Sequence, residues 1–113
     1  MRIINLTRQR VLADNALVAG SFFLRLVGLL NRKELNPGEA LILKPCNSIH
    51  TFLMRFTIDV LFVDKANSVV KTVPRLKPFR LTYIYPNSTF AIELPAGVIA
   101  ATSTQQGDII SLE

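Results

Sequence analysis

The fold is decided by the stretch Ile58-Asp59-Val60-Leu61-Phe62-Val63, which is apolar at every position except Asp59. A run that is apolar on both parities predicts a central strand covered on two sides, whereas a half-exposed strand would alternate. Residues 64–67 are typical of a turn, and residues 68–73 return as a second apolar run. The sequence therefore predicts a β-hairpin with a loop of about four residues.

Short strands separated by turns are predicted along the rest of the chain. They cover residues 2–6, 11–13, 40–44, 49–54, 81–85, 89–94 and 109–112. A helix is predicted over residues 21–31, where Ser21 can cap the first turn and Phe22, Leu26 and Leu29 form one apolar stripe. Residues 98–103 fit either a short helix or irregular structure. This pattern favours a mostly β fold, either a compact β-sandwich or jelly-roll-like domain or a small barrel, with one short helix in the N-terminal half.

Length and composition bound the class of protein. The 113 residues fit a single domain spanning 1–113, and a composition of 50% apolar and 19% charged residues excludes a disordered chain. No apolar run is long enough to span a bilayer, and Arg8, Arg10 and Asp14 interrupt any secretory leader. Because Cys46 is the one cysteine, we expect a reducing, cytoplasmic location. The net charge of +5 comes from scattered cations, which we interpret as ordinary solubility charge.

Two carboxylates lie within apolar strands, Asp59 and Glu93. A buried carboxylate costs several kcal/mol unless it is paired or hydrogen-bonded. Asp59 must therefore find Arg55, His50 or backbone N–H groups, and it is either a polar anchor or part of a site open to a ligand. If the side chains of His50, Thr51, Asp59 and Glu93 converge, they form a polar binding site.

A thiol and an imidazole lie four residues apart, at Cys46 and His50. On a helix they would meet as a reactive pair, but in an extended chain they would lie about 13 Å apart. A metal site would need further ligands from Asp59, Glu93 or Asp108, and no motif sets their spacing. We therefore expect no metal and no cofactor, and the sequence leaves open whether the chain catalyses a reaction.

Positive charge and aromatic residues are mixed in the segment from Arg75 to Arg80 and in Tyr83 and Tyr85, which follow it. Arg75, Lys77 and Arg80 could contact phosphates while aromatic rings stack on bases, as in proteins that bind single-stranded nucleic acid. The same composition also suits an ordinary basic loop that leads into a half-buried strand, so we do not expect nucleic acid as a partner.

The stretch from Cys46 to Asp64, CNSIHTFLMRFTIDVLFVD, resembles the signature of domain of unknown function family 192, a group of small uncharacterised prokaryotic proteins. Residues 22–30, 76–80, 93–97 and 107–108 are similar to further parts of that family. The resemblance implies a compact β-sandwich or jelly-roll-like domain with a small helical element. It implies no established activity, cofactor or catalytic residue.

Three functional hypotheses follow. The first is a non-catalytic binding domain that holds a small polar ligand or a protein partner through a polar patch around His50, Asp59 and Glu93. The second is a hydrolytic or thiol-dependent enzyme that uses Cys46, His50 and the carboxylates. The third is weak nucleic-acid binding through Arg75, Lys77 and Arg80.

Overall fold

A computed structural model describes residues 1–19, 34–52 and 54–113. The helix predicted over residues 21–31 lies outside these ranges. The described part of the chain contains eight strands and one helix, which are β1 (Ile3–Asn5), β2 (Arg10–Ala13), β3 (Asn15–Ala19), β4 (Glu39–Leu43), β5 (Ile58–Val63), β6 (Val69–Leu76), β7 (Phe90–Pro95), α1 (Val98–Thr102) and β8 (Ile110–Leu112). Within the same residues, no helix has both the length and the apolar character needed to cross a bilayer.

The strands form two sheets, which confirms the predicted mostly β class. One sheet has the order β2-β1-β8, and the other has the order β3-β4-β7-β5-β6. The sheets do not close into a barrel. In the described residues, β6 and β8 adjoin through one isolated bridge, Ser68–Ile109. The small-barrel alternative is therefore wrong, because a barrel needs a continuous hydrogen-bonded ladder around its circumference.

The central strand is β5, as the sequence predicts. It pairs antiparallel with both β6 and β7, and all six of its residues are buried. The turn into β6 is held by Asp64, whose Oδ1 accepts hydrogen bonds from the backbone N–H groups of Ala66 and Ser68, each at 2.9 Å. The predicted β5–β6 hairpin is thus confirmed, and its turn is an Asx turn.

Successive residues of β5 face two different cores. Leu61 and Val63 pack with residues of β1, β2 and β8, so this core lies between the two sheets. Val60 and Phe62 pack on the opposite side, against Cys46 and other residues of the segment between β4 and β5. One face of the large sheet is therefore covered by a second sheet, and part of its other face by irregular chain.

Three local predictions are wrong. The strands predicted over residues 49–54 and 81–85 are not found in the described parts of these ranges, where a single antiparallel bridge joins His50 to Leu81. The sequence analysis did not predict β3, which pairs parallel with β4. Its neighbouring residues Leu17 and Val18 are both apolar and both exposed, so the strand lacks the alternation of apolar and polar residues by which a half-buried strand is predicted. Finally, the second strand of the hairpin, predicted to end at residue 73, extends through Pro74 to Leu76 as β6. Proline is tolerated there because β6 is an edge strand, where a missing N–H breaks no ladder.

Candidate functional site

Asp59 is a buried structural carboxylate in β5. Its Oδ1 accepts a hydrogen bond from the Arg75 N–H at 2.9 Å, and its Oδ2 accepts from the N–H groups of Gly97 at 3.1 Å and Ile99 at 2.8 Å. The residue has no exposed surface. Of the partners considered from the sequence, backbone N–H groups are the ones observed, and three of them support the burial of this charge.

Glu93 lies on the opposite face of the same sheet. It is opposite Val60 in the β5–β7 register, whereas Asp59 is opposite Leu94. Neighbouring residues of a strand point to opposite faces. The structure therefore does not bring Asp59 and Glu93 together, and the two carboxylates form no acid/base pair. Glu93 is itself buried, next to the core that irregular chain covers.

Thr51 is a buried residue that forms hydrogen bonds with the loop of residues 77–80. Its backbone N–H donates to the Arg80 carbonyl at 2.9 Å, and its own carbonyl accepts from the Phe79 N–H at 3.0 Å. Its hydroxyl accepts from the Arg80 N–H at 2.9 Å and donates to the Lys77 carbonyl. Thr51 is fully buried, so its role is to fix the conformation of residues 77–80.

Of the four residues predicted to form the polar site, His50 alone is exposed, whereas Thr51, Asp59 and Glu93 are buried. Its ring stacks on Phe52 with a centroid distance of 5.3 Å and an interplanar angle of 25°. The thiol of Cys46 is buried and donates to the Ser48 carbonyl at 3.1 Å. In the described residues, no hydrogen bond joins Cys46 to His50. Nor do three or more His, Cys, Asp or Glu side chains of those residues group so as to hold a metal ion.

Several exposed apolar side chains lie in or next to the two segments that the His50–Leu81 bridge joins, and we call this set, together with His50, the 50/81 surface. His50 and Leu81 are directly opposite in their antiparallel bridge, so their side chains lie side by side. The members of the surface besides His50, with their exposed fractions, are Phe52 45%, Phe79 63%, Leu81 68%, Tyr83 82% and Ile84 68%. Ile49 and Thr51, which flank His50 in the chain, are buried.

Phe79 has an unusual backbone conformation within this surface. Its φ is +61°, a left-handed value that costs a residue with a side chain about 1–2 kcal/mol. It follows Pro78, at the position where a type II turn usually has Gly or Asn. Since the ring is largely exposed, burial inside the chain does not offset this strain.

The charge around the 50/81 surface is positive. Arg55, Arg75, Lys77 and Arg80 are all exposed, and none forms an ion pair with another described residue. Residues 40–58 and 65–92 contain no Asp or Glu. The cations look scattered along the chain, but Thr51 bonds to both Lys77 and Arg80, and its carbonyl accepts the N–H of Met54, the neighbour of Arg55. These bonds bring Arg55 into the same region of the fold as Lys77 and Arg80.

Asp108, a predicted candidate metal ligand, is instead part of a buried polar cluster. Its Oδ2 accepts hydrogen bonds from Asn5 Nδ2 at 3.0 Å, Arg8 Nε at 3.1 Å and the Gln105 N–H at 2.9 Å. Burial raises the pKa of Asp108, but the hydrogen bonds from Arg8, Asn5 and Gln105 and the positive charge of Arg8 together hold the pKa below its ordinary value of 3.8. This cluster links the first and last strands.

The sequence analysis missed most of the 50/81 surface. It singled out His50 and the positive segment from Arg75 to Arg80, but it placed Leu81 and Ile84 in a half-buried strand. The sequence did contain a signal for this surface. Four of the five residues at 81–85 are apolar or aromatic, whereas a strand with one buried face needs an apolar residue only at every second position.

Comparisons with known proteins agree on one family. The family model described as Uncharacterized ACR, domain of unknown function family 192, matches residues 3–112. A UPF0127 protein of Thermococcus sibiricus is 33% identical over 115 residues, covering 98% of this chain and 74% of the relative. A UPF0127 protein of Pyrococcus furiosus is 31% identical, covering 94% of this chain and 93% of the relative.

A crystal structure of a protein of unknown function from Novosphingobium aromaticivorans has the same fold. Its TM-score is 0.82 at 17% identity, with 98% of this chain and 82% of that chain covered. These relatives and neighbours are uncharacterised, and they indicate no catalytic or binding role. The chain belongs to domain of unknown function family 192, the uncharacterised UPF0127 proteins.

Proposed function

We propose that this chain is a non-catalytic binding domain that holds a protein partner through the 50/81 surface. The observation that carries the proposal is Phe79, an exposed aromatic side chain held at a strained φ of +61°. Strained residues persist when the surrounding structure enforces them, and they cluster at binding and catalytic sites. Here Thr51 provides the enforcing hydrogen bonds.

A protein partner is favoured over a small polar ligand. The two carboxylates that a polar ligand would need lie on opposite faces of the sheet, and Asp59 is already bonded to three N–H groups. The 50/81 surface is instead rich in aromatic and large aliphatic side chains. Contiguous exposed apolar groups with a polar rim are typical of protein interfaces, where aromatic residues and Arg supply much of the binding energy.

A protein partner is also favoured over nucleic acid. Arg75, Lys77 and Arg80 could contact phosphates, but Leu81 and Ile84 have no flat ring on which a base can stack. These two side chains gain most when another apolar surface covers them. The hydrolytic or thiol-dependent alternative has less support, because the Cys46 thiol donates to Ser48 and His50 stacks on Phe52.

Peptide display on the immobilised full chain tests the proposal. We expect selected peptides to mix acidic with apolar residues and to bind a Phe79→Ser variant at least about tenfold more weakly than the wild type, which corresponds to about 1.4 kcal/mol. Leu17→Ser is the matched control, because Leu17 is an exposed apolar residue on β3, outside the 50/81 surface. Circular dichroism verifies that both variants fold.

Two results would contradict a protein-binding function. One is that no peptide is enriched, or that Phe79→Ser binds as well as the wild type. The other is that a single-stranded oligothymidylate binds more tightly than any peptide, with an affinity that falls steeply with salt and is lost in Arg80→Ala. That outcome would make nucleic acid the partner.

Location and domain organisation are part of the same proposal. We place the binding domain in the cytoplasm, because a single cysteine among 113 residues favours a reducing compartment.

We also propose that residues 1–113 act as one domain. A single cooperative unfolding transition seen by two spectroscopic probes supports one domain, and two separate transitions would refute it.

A further inference from the structure

We propose that the partner binds by adding a β-strand to the outer edge of residues 81–83, and that this added strand alternates acidic with apolar residues. The inference rests on the proposed function and specifies its binding mode. It names both a backbone geometry and a charge for the partner.

The inner edge of this segment is already paired. The Thr82 N–H donates to the Ile49 carbonyl and the Thr51 N–H donates to the Arg80 carbonyl, each at 2.9 Å. Successive N–H groups of an extended chain point in opposite directions. The Leu81 N–H therefore points away from residues 49–51, and neither it nor the Tyr83 N–H donates to a backbone carbonyl of the described residues.

Residues 81–84 of this edge include no charged residue and no proline, unlike the edge strand β6. The edge strand β6 carries Lys71 and Pro74, both exposed, and positive charge and proline on an edge block the addition of another strand. Residues 81–84 present exposed Leu81, Tyr83 and Ile84, and the Leu81 and Tyr83 N–H groups donate to no backbone carbonyl in the part of the chain that the structure describes. An open edge with apolar side chains is the arrangement that binds an extended peptide by strand addition.

The positive charge near this edge favours an acidic partner over a second copy of the chain. A second copy of the chain would bring Arg55, Lys77 and Arg80 against the same cations, and like charges across an interface are unfavourable. An acidic strand would meet those three side chains with opposite charge. Its apolar residues would cover the exposed side chains of the 50/81 surface, because alternate residues of a strand share one face.

A synthetic decapeptide that alternates Glu with Val is the probe, with hydrogen exchange of the full chain measured by NMR. At saturating peptide we expect the exchange of the Leu81 and Tyr83 amides to slow by at least about tenfold, because each gains a partner. The Thr82 amide is the internal control, since it already donates to Ile49 in the free chain.

A second measurement reads the backbone of the peptide. N-methylation at every other residue should weaken binding by about tenfold or more, while methylation at the intervening residues should have little effect. Replacing Glu by Lys should abolish binding, because the surrounding charge is positive. This alternation is expected of an added strand and not of a partner that binds as a helix.

The outcomes separate this inference from the proposed function. If peptides bind through Phe79 but leave the Leu81 and Tyr83 amides unprotected, or show no alternation on N-methylation, strand addition is wrong and the binding domain stands. No binding of the Glu–Val peptide at about 1 mM also overturns strand addition. If the chain alone dimerises in sedimentation and protects the same amides, the occupant is a second copy and the acidic partner is wrong.

Discussion

Thr51 and Phe79 show how one buried polar residue can hold an exposed apolar one in a strained conformation. The Phe79 N–H donates to the Thr51 carbonyl, and the Thr51 hydroxyl bonds to both ends of the loop at Lys77 and Arg80. These bonds satisfy backbone groups that the left-handed turn at Phe79 would otherwise leave unpaired. Phe79 therefore keeps a backbone conformation that lowers the stability of the fold, and its aromatic ring is exposed to solvent.

Phe79→Gly should separate stability from binding. Glycine adopts φ +61° without strain, so we expect the free energy of unfolding to rise by about 1 kcal/mol, while peptide binding is lost with the ring. Urea denaturation measures the stability. The control is Tyr83→Gly, because Tyr83 is also exposed but is not among the residues with positive φ, and it should give no gain. A loss of stability in Phe79→Gly would contradict the strain argument.

Thr51→Val keeps the shape of the side chain and removes its hydroxyl. The Arg80 N–H and the Lys77 carbonyl then lose a buried partner, so we expect a loss of about 1–3 kcal/mol in unfolding free energy and faster exchange of the Arg80 amide. Thr51→Ser restores the hydroxyl and should recover much of both. Equal stability of the Val and Ser variants would show that the hydroxyl does not hold the loop.

At the scale of the element, the helix α1 depends on a residue of a distant strand. It has five residues, begins after Gly97 with φ +102°, and has no capping side chain of its own. Asp59, thirty-eight residues away in β5, accepts the Gly97 and Ile99 N–H groups instead. A carboxylate at a helix N-terminus is favourable both as a hydrogen-bond acceptor and as a charge. The central strand therefore positions a helix that is too short to be stable alone.

Asp59→Asn should lower the free energy of unfolding by about 2–3 kcal/mol. The amide has only one oxygen acceptor, and its NH2 group would face backbone N–H groups that now donate to a carboxylate oxygen. The loss is measured by urea denaturation. Asp64→Asn is the matched control, because Asn supports an Asx turn nearly as well as Asp and the cost should stay below about 1 kcal/mol. If the two variants lose the same stability, Asp59 does not have the anchoring role assigned to it.

At the scale of the whole molecule, the two ends of the chain are joined. The strand β1 pairs with both β2 and β8, so the first and last strands lie side by side. Asp108 connects them further, because its carboxylate accepts from Asn5 in β1 and from Arg8 in the following turn. Folding of the small sheet thus requires contacts between residues about one hundred positions apart, and such non-local contacts slow folding because closing a long loop costs entropy.

The pKa of Asp108 predicts how stability depends on pH. Because the pKa is lowered in the folded chain, ionised Asp108 stabilises the fold above its ordinary pKa of 3.8, and this contribution is lost as the pH falls through the lower folded value. Asp108→Asn should therefore be less stable than the wild type at pH 7, and the difference should shrink as the pH falls below about 4. Urea denaturation at several pH values measures it, and a difference that stays constant with pH would contradict this role.

The sequence predicts part of the candidate site. His50 lies in the 50/81 surface, and Thr51 lies directly beneath it as the residue that holds Phe79. Asp59 and Glu93 do not belong to that surface. Their burial follows from their apolar neighbours, but the face each occupies depends on the register between β5 and β7, which pattern alone does not fix.

The sequence by itself determined the mostly β class, the buried central strand β5, the Asp64 turn and the family, because these depend on local periodicity, turn chemistry and a specific motif. Only the tertiary structure decided which polar residues meet. The 50/81 surface and its open edge exist because His50 and Leu81 pair across thirty-one positions of the chain. Whether a side chain is exposed, and whether an N–H is paired, depends on which distant segments pack together, and no local pattern encodes that.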